Sequence, residues 1–214
     1  IDPRNSGMRP ITGRSLRPIF ESDRQGQVQP ERDHVLVGKE RTDVGRPQNG
    51  GYPIRGMITR DFLYLRNDEP SRWPAGNPET GYLDTDGSPS KTLILQLGRT
   101  DRSDPFWRLN FGMRPTEELY RLSDDPDCVR NVASNSALNS LKSRLRDRMD
   151  AILTSQNDPR MLGEGHVFDG YEPTNGSGFY ERYMNAQRPD DRPRANWVNP
   201  TDFEVSPLSS VSTE

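Results

Sequence analysis

Apolar residues are scarce in this chain, at 30% of its 214 residues, which is below the usual share for a globular domain. No apolar run approaches the roughly 20 residues of a membrane-spanning helix. The 29 basic and 32 acidic residues are interspersed, and the basic stripe typical of nucleic-acid-binding proteins is missing. We therefore expect a modest core, much irregular surface chain, and no membrane or nucleic-acid partner.

Cysteine and histidine are also nearly absent. Cys128 is the only cysteine, so no internal disulfide can form and cysteine usage indicates no compartment. We interpret Cys128 as a half-buried thiol, because a nucleophilic cysteine needs a basic partner. The segment Ile1–Arg4 lacks the basic and apolar regions of a signal peptide. We expect the chain to be a piece of a longer protein.

The patterns that are present predict an α+β fold with a small antiparallel β-sheet of about four strands. A strand is predicted at residues 34–37, and an alternating strand at 118–122. Residues 52–67 are typical of a β-hairpin that turns near Thr59-Arg60-Asp61, which would make its strands antiparallel.

The best predicted helix covers residues 135–154 and should pack its apolar stripe on the sheet. Its apolar residues recur at steps of three and four: Leu138, Leu141, Leu145, Met149 and Ile152. A second helix is predicted over 91–97, with Ser88 or Ser90 as its N-cap. A helical turn is predicted within 13–20.

The chain divides into three parts. Residues 1–33 are an irregular lead-in, 34–155 form the α+β subdomain, and 156–214 are an irregular, partly disordered tail whose last dozen residues are frayed. Isolated aromatic residues should pin this tail across the body. Between the hairpin and the second helix, Trp73 and Tyr82 favour an ordered loop.

Four stretches resemble segments of the sulfatase family, and the likeness extends over about residues 8–155. Residues 13–18 are similar to the phrase G-R-S-L-x-P, and 33–41 to the strand that follows it. Residues 52–67 resemble the hairpin R-x-x-R-T-x-D-Y-L-Y-I-x-N. The most specific stretch, 118–133, resembles E-L-Y-D-L-x-x-D-P-x-E-x-x-N-L-A, which precedes the family's last helix.

The Trp73 loop and residues 84–89 are similar to the heparan N-sulfatase (N-sulfoglucosamine sulfohydrolase) branch. The resemblance implies the C-terminal subdomain of a sulfuric ester or sulfamate hydrolase in the alkaline-phosphatase-like superfamily. It also implies a periplasmic or secreted protein that meets a sulfated carbohydrate through a missing catalytic domain. The full-length family uses a formylglycine and a calcium ion.

The chain itself lacks the residues for that chemistry. Formylglycine is made within a Cys/Ser-x-Pro-x-Arg motif, which occurs nowhere in the sequence. Residues 84–88 resemble the start of a calcium loop, but the later glutamate is missing, and we predict a capped turn. We therefore expect no catalytic residue, no metal ligand and no cofactor in this chain, and no sulfatase activity of the chain alone.

The resemblance places four substrate-binding candidates at the rim of the family's pocket, namely Lys39, Glu40, Arg41 and Arg55. A cation there would pair with sulfate or uronate, and the glutamate would accept sugar hydroxyls. The alternative interpretation is a solvated, charged strand tip. Thr42 stands where many relatives have His, which puts one substrate contact in doubt.

Two other functions stay open. The first alternative to a sulfatase subdomain is a non-catalytic carbohydrate-binding or structural module. The second is the C-terminal part of a related phosphatase or phosphodiesterase. A free-standing module requires a core of its own and a closed surface. A sulfatase subdomain should instead expose an apolar sheet face that its catalytic domain covers.

Overall fold

The computed structural model describes residues 11–42, 44–174 and 176–204, together with Asn5 and Gly7. Within these residues a four-stranded antiparallel sheet has the order β1-β2-β3-β4. Its strands are β1 His34–Lys39, β2 Ile54–Thr59, β3 Phe62–Asn67 and β4 Glu117–Arg121. The α+β class, the hairpin and the last strand are confirmed. Thr59 Oγ1 accepts a 3.1 Å hydrogen bond from the Phe62 N–H and closes the hairpin turn.

One row of side chains across the sheet forms its core. Leu36 lies opposite Met57, Met57 opposite Tyr64, and Tyr64 opposite Leu119. Helix α4 (Asn139–Ser155) covers this row with three buried side chains: Leu145, Met149 and Leu153. The predicted helix is therefore confirmed. Burying each such side chain stabilises the fold by about 1.5–3 kcal/mol.

A second packing unit lies between the hairpin and β4. Helix α2 (Pro89–Thr100) begins at Ser88, whose Oγ accepts a 3.1 Å hydrogen bond from the Lys91 N–H. Helix α3 (Pro105–Phe111) follows. A further buried cluster contains Ala75, Tyr82, Leu95, Trp107 and Phe111. Gly98 is required here, because a Cβ at this position would lie 2.0 Å from the Trp107 ring.

The end of the described chain is more ordered than its composition predicts. It contains helices α5 (His166–Asp169) and α6 (Phe179–Asn185). Phe179 and Tyr183 pack with Val44 and Leu83 in another buried cluster, as expected of aromatic residues that pin this segment. Fraying was predicted for the last dozen residues, and of these, 205–214 lie outside the described residues.

The predicted turn near the start of the chain is also present, as helix α1 (Arg17–Phe20). Leu16 and Phe20 are exposed on it, so this turn buries little apolar surface. Among the residues that the structure describes, no helix is both long and apolar enough to cross a membrane.

Candidate functional site

The end of strand β1 and the chain that follows α4 are joined by a network of four charged side chains. Glu40 accepts hydrogen bonds from Arg55 at 2.5 Å and from Arg160 at 2.6 and 2.9 Å. Arg55 also donates to Asp158 at 2.6 Å. Two guanidinium groups therefore face two carboxylates, and the network is neutral as a whole.

The hydrogen bonds of the network favour the charged forms of Asp158 and Arg55 although both side chains are largely buried. Burial opposes ionisation of Asp158, but the hydrogen bonds from Arg55 and from the Arg160 N–H outweigh it, so the pKa of Asp158 lies below its ordinary value of 3.8. Burial likewise opposes the charge on Arg55, whereas its hydrogen bonds to Asp158 and Glu40 raise its pKa. Hydrogen bonds to the charged form thus dominate desolvation here.

An open pocket of about 440 Å³ lies beside this network. Five consecutive residues of β1 and its tip, 36–40, line one side of it. Leu153 and Phe168 also line the pocket. The Phe168 ring centroid lies 5.9 Å from the guanidinium carbon of Arg55 and 5.5 Å from that of Arg160. The pocket therefore combines an apolar wall with a charged, internally paired rim.

Lys39 is separated from the other predicted site residues. Successive side chains of a strand point to opposite faces of the sheet, and the side chains of Lys39 and Arg55 lie on opposite faces. Its Nζ lies 5.7 Å from the centroid of the Tyr52 ring and donates a 3.3 Å hydrogen bond to Thr42 Oγ1. Burial lowers the pKa of Lys39, and nearby Asp84 opposes that shift.

Arg41 has a different role again. Its guanidinium donates to the carbonyl oxygen of Tyr171 at 2.7 Å and to that of Phe168 at 3.5 Å. The structure thus brings Glu40 and Arg55 together. Arg41 instead binds the backbone of the chain that follows α4, and Lys39 lies on the other face of the sheet. A sulfate in the pocket would meet Arg55 only in competition with Glu40 and Asp158.

The remaining candidates have structural partners. Asp84, from the calcium-like segment, forms a buried 2.5 Å ion pair with Arg46. Cys128 is partly buried, and its pKa is raised by burial and by Asp125 and Asp127. Within the described ranges, no group of three or more His, Cys, Asp or Glu side chains is placed to hold a metal ion.

Sequence reasoning missed Asp158, Arg160 and Phe168. Asp158 and Arg160 flank a proline immediately after the best helix, and this charge pair was the available signal. Phe168 is one of the isolated aromatic residues of the predicted tail, and nothing in the sequence distinguishes it from the others. No protein-family model matches the chain, and no curated protein matches it either.

Proposed function

We propose that this chain is the C-terminal subdomain of a sulfatase-type hydrolase, similar to the heparan N-sulfatase branch. In this role it shapes a pocket for a sulfated glycan and supplies no nucleophile. Calcium and formylglycine do not fit the described residues, which offer neither an oxygen-ligand cluster nor the precursor motif. Both would belong to a catalytic domain.

The observation that supports this proposal is the sheet face opposite α4, called here the outer face. It carries the side chains of Val35, Val37, Ile58, Leu63 and Leu65. Val35 is 59% exposed and Val37 36% exposed, and the other three are half-buried. Adjoining exposed apolar side chains on one sheet face are expected of a subdomain that packs on a catalytic domain.

The charged network supports the same role. Glu40, Arg55, Asp158 and Arg160 hold the pocket rim in a fixed shape, because each has at least one ion-pair partner. A rigid rim of this kind positions a substrate that other residues react with. Arg55 and Glu40 are therefore proposed as positioning residues at the substrate pocket.

The test is the coding sequence that precedes Ile1. The proposal expects an in-frame Cys/Ser-x-Pro-x-Arg motif and an acidic cluster near the start of that sequence. The purified chain should also show no turnover of sulfate esters or sulfamates with calcium present. Calcium-dependent turnover by the chain alone contradicts the proposal, and so does a long upstream frame without the motif.

A second function is favoured by one observation. Among the described residues there are three buried clusters, which is what a free-standing carbohydrate-binding or structural module needs. Calorimetric titration with a heparin-derived disaccharide and its desulfated counterpart distinguishes this module from a sulfatase subdomain. Sulfate-dependent binding below about 100 μM by the isolated chain favours the module, since a subdomain should bind more weakly than about 1 mM. An upstream phosphatase-type nucleophile would instead favour the phosphatase alternative.

A further inference from the structure

The two edge strands of the sheet, β4 and β1, differ in the hydrogen bonds that their backbone groups form. On β4, the Leu119 N–H donates to Asn131 Oδ1 at 2.9 Å, and the Leu119 carbonyl accepts from the Val132 N–H at 2.8 Å. On β1, the one bond from another described side chain to the strand backbone is from Arg55 to the Lys39 carbonyl, at 3.4 Å. An unpaired edge is a template for another strand unless it is covered. Among the residues that the structure describes, none pairs with the outer edge of β1.

The register identifies which backbone groups of β1 point outward. In an antiparallel sheet, a residue directs its N–H and C=O to the same side, and the direction alternates along the strand. Leu119 directs both groups away from β3, so its neighbour Tyr64 directs its own toward β2. Following the row from Tyr64 to Met57 and Leu36, Leu36 must point outward, together with His34 and Gly38.

We propose that β1 pairs antiparallel with β1 of a second copy of this chain, with Leu36 opposite Leu36. Outward-pointing residues must face each other, and this register pairs His34 with Gly38 as well. Each such pair exchanges two hydrogen bonds. A shift of two residues in either direction leaves one outward residue of each strand without a partner inside the other strand.

The charges that flank β1 match this register. Asp33, whose carboxylate Arg148 of the same chain contacts at 2.6 Å, faces Lys39 of the second copy, so opposite charges meet at both ends of β1. The symmetry repeats each contact. Between them, Val35 faces Val37 on the outer face as a closely spaced β-branched pair, which is a favourable cross-strand contact.

The open pocket borders β1. Residues 36–40 line the open pocket in an unbroken run, although alternate side chains of a strand point to opposite faces. The pocket therefore reaches the backbone of β1 as well as its side chains. This inference does not rest on the proposed sulfatase role.

Disulfide trapping with the full chain tests the register. In a Cys128→Ser background, which removes the native thiol, Val35→Cys and Val37→Cys are prepared as separate proteins. Their Cα atoms would lie about 4.5 Å apart across the interface, within disulfide range. Two copies of either variant place their cysteines on a diagonal of about 7–8 Å, beyond that range.

The mixed variants should therefore form a disulfide-linked dimer under mild oxidation, and either variant alone should not. Equal trapping in the unmixed samples overturns the register. Sedimentation velocity of the unmodified chain at about 100 μM should show a dimer, and a monomer at that concentration overturns the proposal.

Charge exchange supplies an independent check. Lys39→Glu places a glutamate opposite Asp33 at both ends of the interface, and should weaken dimerisation about tenfold. Adding Asp33→Lys to this variant should restore the dimer, because opposite charges again meet. A double variant that stays as weak as Lys39→Glu contradicts the pairing. Circular dichroism of both variants confirms that each remains folded.

Discussion

Individual buried, charged side chains hold the loops of this polar protein in place. Arg46 and Asp84 are 1% and 3% exposed and lie 2.5 Å apart. Arg46 also donates to the carbonyl oxygens of Trp73 and Pro74. Lys91 behaves similarly, because its ammonium donates to three backbone carbonyls and pairs with Asp202. Buried charges thus replace apolar contacts in fixing the loops.

Replacing Arg46 by methionine should lower the free energy of unfolding by about 3–5 kcal/mol, because it leaves the Asp84 carboxylate buried without its partner. Urea denaturation measures the change. The double variant Arg46→Met/Asp84→Leu should be less destabilised than the single variant, since neither charge then remains buried. An equal or larger loss in the double variant contradicts this explanation.

Acid should weaken the protein through Asp158. Its pKa is lower in the folded chain than its ordinary 3.8, so the unfolded chain binds more protons between the two values. The stabilisation is therefore complete above pH 3.8 and is lost as pH falls through the lower pKa. In urea denaturation between pH 7 and pH 2.5, the free energy of unfolding of Asp158→Asn should fall less steeply with decreasing pH than that of the unmodified chain. Asp147→Asn, at a largely exposed side chain, should leave the slope unchanged.

At the scale of elements, helix α2 shows which of two candidate serines is the N-cap of a helix. The sequence left Ser88 and Ser90 as alternative caps, and the structure shows Ser88 bonded to the Lys91 N–H, with Pro89 in the first position. Ser90 lies within the helix and is exposed. Only the first serine should therefore matter for the stability of α2.

Ser88→Ala should reduce the free energy of unfolding by about 1 kcal/mol, because the Lys91 N–H loses its acceptor. Ser90→Ala is the matched control and should change stability by less than about 0.5 kcal/mol. Chemical denaturation of the two variants side by side makes the comparison. Equal losses would show that Ser88 does not cap the helix.

Elements with a clear period were predictable from the sequence. The four strands and the two longer helices were placed correctly because alternation and three-to-four spacing report burial directly. Helices α5 and α6 have 4 and 7 residues, too few for a period to appear. The charged site was half predictable: Glu40 and Arg55 belong to the strand region, but Asp158 is 103 residues from Arg55, and no local pattern encodes such a contact.

At the scale of the whole molecule, the described clusters are joined to one another. Tyr82 and Leu83 are adjacent in sequence but belong to different clusters. Arg46 ties the chain next to Val44 to the Trp73 loop, and Glu40 ties the sheet to the chain after α4. These links predict one cooperative unit in place of several independent ones.

Unfolding should therefore be a single transition. Tryptophan fluorescence, which reports the regions around Trp73, Trp107 and Trp197, and far-ultraviolet circular dichroism, to which α4 contributes, should give the same urea midpoint. Hydrogen exchange should be slowest across residues 34–66 and 118–153, where the sheet and α4 pack. Midpoints that differ by more than about 0.5 M would show that the clusters unfold separately.

The anchoring of the last part of the chain has a practical consequence. The turn around Leu162 and Gly163 is exposed, so a protease should cut there first. The later piece would still be bound through Asp169 to Arg72 and through Asp202 to Lys91. The cut protein should therefore elute as one species in gel filtration and separate into two bands only in denaturant. The later piece could then be supplied as a synthetic peptide to rebuild the fold.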